Sequence, residues 1–197
     1  MTTEKTETEP EYIRKIRLQI EPEVHEIVFE QKMVHLIQGA ILERVTKTGK
    51  YHPKFVKLSE NRQEILISDV TKSGQTQTKA AVQVAAKIEE LSHVVTGRAT
   101  INLSKAKKLD DEKILLTFSL IFKDGKKTLD LIASNRNDFV TWVDCFRALL
   151  GGKMEEKETL QELKELSDIE VELNLIQRKK KAPPIPPPPR NLNFVNI

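Results

Sequence analysis

The sequence predicts an α+β fold: a small antiparallel β-barrel or sandwich, capped by a C-terminal helix, with extra helices flanking it. Three observations carry this reading. Between residues 40 and 133 apolar residues recur with a period near two, in short runs separated by turn residues. From Asn135 to Leu150 the period changes to 3.6, around the chain's one tryptophan, Trp142. Helical apolar stripes also stand before and after this block.

Residues 1–20 begin polar and acidic and read as a disordered segment, with Ile13 to Ile20 ambiguous. Pro22 suits the first turn of a helix, and Glu21, Glu23 and Glu26 favour its positive end. Val24, Ile27, Val28, Met33, Val34 and Ile37 then make an apolar stripe, with Gly39 as C-cap, so residues 21–39 form a flanking helix. Ala40–Val45, Tyr51–Leu58 and Glu64–Val70 read as a three-strand meander, with turns at Thr48-Gly49-Lys50 and Ser59 to Arg62. Pro53 marks an edge or bulge. Residues 71–82 read as a mobile loop, and Lys87–Thr96 as a fourth strand closed by Gly97. After a polar loop over 98–112, Ile114–Phe122 reads as a central strand. Asp124-Gly125 is a tight-turn pair, and Thr128–Ala133 the returning strand.

Ser134 or Asn135 caps the next helix. Phe139, Trp142, Val143, Phe146, Leu149 and Leu150 share its apolar face, and Gly151-Gly152 stops it. A charged amphipathic stretch over 152–178 follows, divided by Ser167-Asp168 into two helices. Six or seven short strands closed by one helix with a single buried Trp are the pattern of a pleckstrin-homology domain, here residues 40–151.

Composition excludes several functions. The net charge of +3 is too small for a nucleic-acid binder, and basic residues lack interleaved aromatics. One cysteine, Cys145, rules out an internal disulfide or a cysteine-based zinc site and fits a reducing, cytoplasmic setting. No stretch approaches the roughly 20 apolar residues of a membrane span. His25, His35, His52 and His93 stand in no metal or nucleophile spacing. No active site, cofactor or metal site is expected.

The tail, 179–197, is the most informative segment. Pro183, Pro184, Pro186, Pro187, Pro188 and Pro189 fix their φ angles and lack amide donors, which favours an extended polyproline II rod. Aromatic grooves of SH3 domains bind such rods. Lys180 with Pro183 and Pro186, and Lys181 with Pro184 and Pro187, each fit a cation-x-x-Pro-x-x-Pro register. Pro186, Pro189 and Arg190 place a cation at the other end, one residue short of the reverse spacing. The alternative is a stiff, solvated tail.

Several ordered pieces resemble the C-terminal region of the engulfment and cell motility (ELMO) family. These are His93-Val94-Val95-Thr96-Gly97, Leu115 to Ile121, and Phe139-Val140-Thr141-Trp142 with Leu149-Leu150-Gly151. Leu166 to Leu175, Ala182-Pro183-Pro184-Ile185-Pro186 and Asn193-Phe194-Val195 complete them. The resemblance covers residues 22–197 and implies an adaptor for DOCK-type exchange factors that activate Rac. Helices on either side of the barrel would pack on helices near the exchange factor's N-terminus, and the proline tail would dock on its SH3 domain. Carried over, the partner-helix contacts are Val24, Ile27, Val28 and Val34 before the barrel and Leu166, Ile169, Leu173 and Leu175 after it. A closed barrel leaves the first helix's stripe without a sheet partner, which agrees. The family's upstream helical-repeat and ELMO domains are not in this chain, so it reads as a piece of a longer protein or a short relative. Its expected setting is cytoplasmic, with recruitment to membrane alongside its partner.

The rival reading is a phosphoinositide or anionic-membrane module. Lys47, Lys50 and Lys54 flank the first strand turn, where such domains gather cations, and Lys105, Lys107 and Lys108 could add to them. Arginine partners for bidentate phosphate contact are missing there, and Lys54 and Lys57 point to opposite faces. Weak, nonspecific membrane contact is the expectation.

Overall fold

The computed structural model describes residues 9–70, 82–107 and 109–181. Its strands are β1 (Ala40–Val45), β2 (Tyr51–Leu58), β3 (Glu64–Asp69), β4 (Gln83–Lys87), β5 (Leu91–Thr96), β6 (Thr117–Phe122) and β7 (Thr128–Ile132). The helices are α1 (Glu11–Gln38), α2 (Ile101–Ser104), α3 (Asp111–Leu115), α4 (Arg136–Leu149) and α5 (Lys157–Lys181). The strands form one antiparallel sheet in the order β4-β3-β2-β1-β7-β6-β5. Two meanders thus meet at β1 and β7, joined by the pairs Glu43–Ile132 and Arg44–Leu131.

Alternation decides which faces are inside. Leu42, Val56, Leu58, Ile65, Ile67, Phe118, Leu120, Leu129 and Leu131 all point into one core. α4 closes it with Phe139, Trp142, Val143 and Phe146, all buried. Phe118 meets Phe139 edge-on at 6.2 Å, and Trp142 lies 5.7 Å from Phe146. Aromatic burial of this kind is the largest apolar contribution a small core has. Asn135 starts α4 by accepting the Asp138 amide at 2.9 Å.

Gly39 joins α1 to β1 at φ +83°, where a Cβ would stand 2.7 Å from Phe55 and 2.8 Å from the Val56 carbonyl. Gly49, at φ +77°, lets the β1–β2 turn lie against the Lys105 backbone, 2.5 Å from where its Cβ would be.

Several expectations are corrected. α1 starts at Glu11, not near residue 21, and runs through Pro22. The proline leaves the Leu18 carbonyl without its helical donor, but both residues are exposed, so water can serve it. The stretch after the barrel is one helix, because Ser167 faces inward and accepts from Arg17 at 2.9 Å instead of breaking the turn. Residues 98–112 are not one loop. Thr100 and Asp110 cap the short helices α2 and α3, and α3 takes Ile114 and Leu115 from the expected strand, so β6 begins at Thr117. The fourth expected strand is split: Lys87 ends β4, Ile88–Glu90 form a 3₁₀ turn, and β5 begins at Leu91. The loop placed at 71–82 lies outside the described residues up to 81.

Candidate interaction surfaces

α1 has two jobs along its length. Near its C-terminal end Met33 and Leu36 enter the main core, with Phe29 and Ile37 beside them. Further back Val24 and Val28 pack with Met154, Leu163 and Leu166 in a second cluster, which binds α1 to α5. The two helices run in opposite directions. Arg17 donates to Asp168 at 2.8 Å, and Lys32 pairs with Glu162 at 3.0 Å. Glu9 is the main reason the Arg17 guanidinium is held above its usual range, with Asp168 adding to it.

The start of α5 is fixed to α4. Asp144, fully buried, accepts the amides of Glu155 and Glu156 at 2.9 and 3.2 Å. Arg136 donates to Glu156 and Glu158, each at 2.8 Å, and Arg147 to Glu156 at 2.8 Å. The Arg136 hydrogen bond draws the Glu158 carboxyl down to about 2.

This packing corrects part of the expected partner surface. Val24 and Val28 are covered by α5 and cannot meet a partner while the pair holds. Leu166 is partly spent in the same cluster and Leu175 is half-buried. The first helix's stripe is therefore not left wholly free by the barrel, because α5 takes one side of it. Ile27, Val34, Ile169 and Leu173 remain exposed at 41, 53, 54 and 45%, and Ile176 joins them. Sequence reasoning missed Ile176 as a surface residue, although it follows Ile169 and Leu173 at helical spacing.

A second surface is a cleft of about 950 Å³ at the open end of the barrel. Arg44, Lys47, His52, Lys54, Lys105, Lys126 and Lys127 line it, from β1, the β1–β2 turn, β2, the α2–α3 connection and the β6–β7 turn. Lys50 is exposed on the same turn as Lys47, and Lys54 is ion-paired with Asp69. Arg44 supplies the arginine that the sequence reading found missing. It stands only three residues before Lys47, and it escaped because the reading gathered cations from the turn and β2 and not from the strand before them. One wall is built on Asp130, which is buried and accepts from Thr100, Ser119 and Thr128 at 2.7 Å and from Asn102 at 2.8 Å.

The proline segment and Arg190 lie outside the described residues. α5 continues to Lys181, so Lys180 and Lys181 end a helix and do not begin the extended run. Among the described residues no group of His, Cys, Asp and Glu could hold a metal ion. Cys145 is buried, and desolvation pushes its thiol up to about 12. No described helix is long and apolar enough to cross a membrane.

A sheet closed by a tryptophan-bearing helix, with a cationic open end, defines a domain class. Residues 28–151 match the family described as Pleckstrin homology domain, and the chain belongs to it. Within that class its likeness is to the C-terminal region of the engulfment and cell motility proteins. It is 27% identical to engulfment and cell motility protein 2 of Homo sapiens over 93% of this chain and 26% of that protein. It is 28% identical to engulfment and cell motility protein 1 of Mus musculus over the same shares. The chain thus spans about a quarter of these relatives' length. Among solved structures it is similar to inner membrane complex sub-compartment protein 1 of Toxoplasma gondii. That match has a TM-score of 0.44 and 16% identity, and covers 64% of this chain and 93% of that one.

Proposed function

We propose that the chain is an adaptor that holds a DOCK-type Rac exchange factor, in the engulfment and motility role its relatives' names carry. The observation that favours this most is the apolar stripe left exposed on a helix pair tied to the barrel by Asp144, Arg136 and Arg147. Ile27, Val34, Ile169, Leu173 and Ile176 would meet the exchange factor's helices. The proline segment, Pro183 to Pro189, would meet its SH3 domain. Two modest contacts on one partner reinforce each other, because the second forms at high local concentration. Its family points to a non-catalytic protein.

The test is capture of a DOCK-type exchange factor by the chain and by the chain ending at Arg178. Binding that weakens but survives truncation supports the reading, with helices and tail both contributing. A variant with Pro183→Ala and Pro186→Ala should lose SH3 binding with unfolding unchanged. Undiminished SH3 binding would remove the tail from the mechanism.

The cationic cleft favours a second reading, contact with anionic membrane. Seven basic or titratable side chains from five segments converge there, and such a patch attracts lipid headgroups at roughly 1 kcal/mol per cation near the surface. Phosphoinositide vesicles as a parallel bait separate the two readings: vesicle binding without exchange-factor binding would favour the membrane module.

A further inference from the structure

We propose that the cationic mouth of the barrel docks on an anionic bilayer, with Ile101 entering the acyl boundary as an apolar anchor. The inference rests on the membrane reading of the cleft and adds the residue that would grip hydrocarbon there. Ile101 opens α2 and lines the cleft. At 73% it is more exposed than any other large apolar side chain among the described residues. Its neighbours are all tied down. Thr100 and Asn102 donate to the buried Asp130 at 2.7 and 2.8 Å. Leu103 is fully buried in a cluster with Val45, Ala106 and Ile132. A side chain set between such anchors is held outward by the fold, not released by a loose loop. Lone exposed apolar residues are ordinary on a protein surface; this one is fixed in place on the wall of a charged cleft.

What identifies the occupant is the unbalanced charge around Ile101. Arg44, Lys47, Lys105, Lys126 and Lys127 line the same cleft, and none has an ion pair among the described residues. The carboxylates beside them are already engaged. Glu43 pairs with Lys113 and Asp69 with Lys54. Asp130 is buried under its four donors. Asp124 accepts the amides of Lys126 and Lys127 at 2.9 and 3.1 Å. Most of the free cations are lysines on flexible stems, from separate segments. That arrangement suits a field of mobile negative charges better than one fixed anion, which a rigid arginine fork would grip. A bilayer offers such a field, with hydrocarbon roughly 5–10 Å beneath it for an apolar side chain to reach. An acidic peptide offers the charge with no apolar layer behind it.

The experiment is flotation of the whole chain with vesicles of phosphatidylcholine carrying about 30 mol% phosphatidylserine, beside phosphatidylcholine alone. Ile101→Ser should weaken binding to the anionic vesicles about tenfold. Its thermal unfolding should match the wild type, as expected at a site this exposed. Ile101→Trp adds a direct readout. Its emission should shift to the blue on anionic vesicles and be quenched by brominated acyl chains, which the fully buried Trp142 should not feel. Vesicle binding that Arg44→Glu lowers and Ile101→Ser leaves untouched, with no quenching of the Ile101→Trp variant, overturns the anchor and leaves the membrane reading standing. No vesicle binding by the wild type overturns both. Binding of a soluble oligoglutamate peptide in place of vesicles would make the cleft a peptide site and overturns both as well. Exchange-factor capture by the same variants is scored separately, so its loss or survival leaves the vesicle result standing.

Discussion

Arg62 reaches from the β2–β3 turn to α1 and grips both carboxylate oxygens of Glu30, at 2.7 and 2.6 Å. It does so from a left-handed backbone, φ +60°, the one such non-glycine residue among those described. A side chain held in that region carries strain of about 1 kcal/mol. The ion pair, half-exposed on both sides, contributes roughly 0.2–1 kcal/mol. Arg62→Ala loses the pair and keeps the strain. Arg62→Gly loses the pair and relieves the strain. Urea unfolding should therefore rank Gly above Ala by about 1 kcal/mol, with Gly close to the wild type.

Acid stability should report the α4–α5 junction. Hydrogen bonding to Arg136 is the leading cause that takes Glu158 from 4.5 to about 2. A depressed carboxylate stabilises the fold fully above its unfolded value and loses that contribution as pH falls from about 4.5 toward 2. Half-exposed, it contributes no more than about 1 kcal/mol. Arg136→Ala should flatten that part of the stability–pH curve, measured by urea unfolding at stepped pH, while leaving the slope above pH 5 unchanged.

Asp130→Ala should lower stability by about 2–4 kcal/mol, since four buried or half-buried donors lose their acceptor together. Denaturant midpoints measure it. The same variant should loosen the wall of the cationic cleft, seen as faster amide exchange at Thr100 and Asn102.

Two substitutions of like chemistry should part company. Val28→Asp buries a charge at a site with no exposure and should unfold the α1/α5 pair, costing about 3–5 kcal/mol. Leu173→Asp, on the exposed stripe, should leave thermal unfolding within about 0.5 kcal/mol of wild type and yet abolish capture of the exchange factor. Retained capture would remove Leu173 from the partner surface.

Arg44→Glu should reduce binding to anionic vesicles more than Lys50→Glu, because Arg44 lines the cleft and Lys50 does not. Vesicle flotation at low and high salt checks both the ranking and its electrostatic origin.

The barrel was legible in the sequence wherever periodicity was unbroken. Ala40–Val45 and Tyr51–Leu58 fall as expected, and Asn135 caps α4 as its side-chain chemistry demands. Misreadings cluster where tertiary contacts override local rules. Pro22 signals a helix start, but the apolar residues before it, including buried Ile16, belong to the helix and keep it going. Ser167-Asp168 signals a break, but Arg17 binds both side chains from the neighbouring helix. The stripe on α1 was visible as a stripe. Which half of it α5 would cover was not, because that depends on how Asp144 and the arginines aim α5 after Gly152. Lys47, Lys54 and Lys105 of the cleft were grouped from the sequence, but Arg44, His52, Lys126 and Lys127 were not joined to them, since the lining comes from five segments and no single run announces it.

The antiparallel pairing of α1 with α5 has a consequence for how the chain is threaded. Glu11 opens one helix and Lys181 closes the other, and both ends lie away from the barrel. Whatever is joined before Glu11 or after Lys181 would therefore attach at neighbouring points, like two leads from one plug.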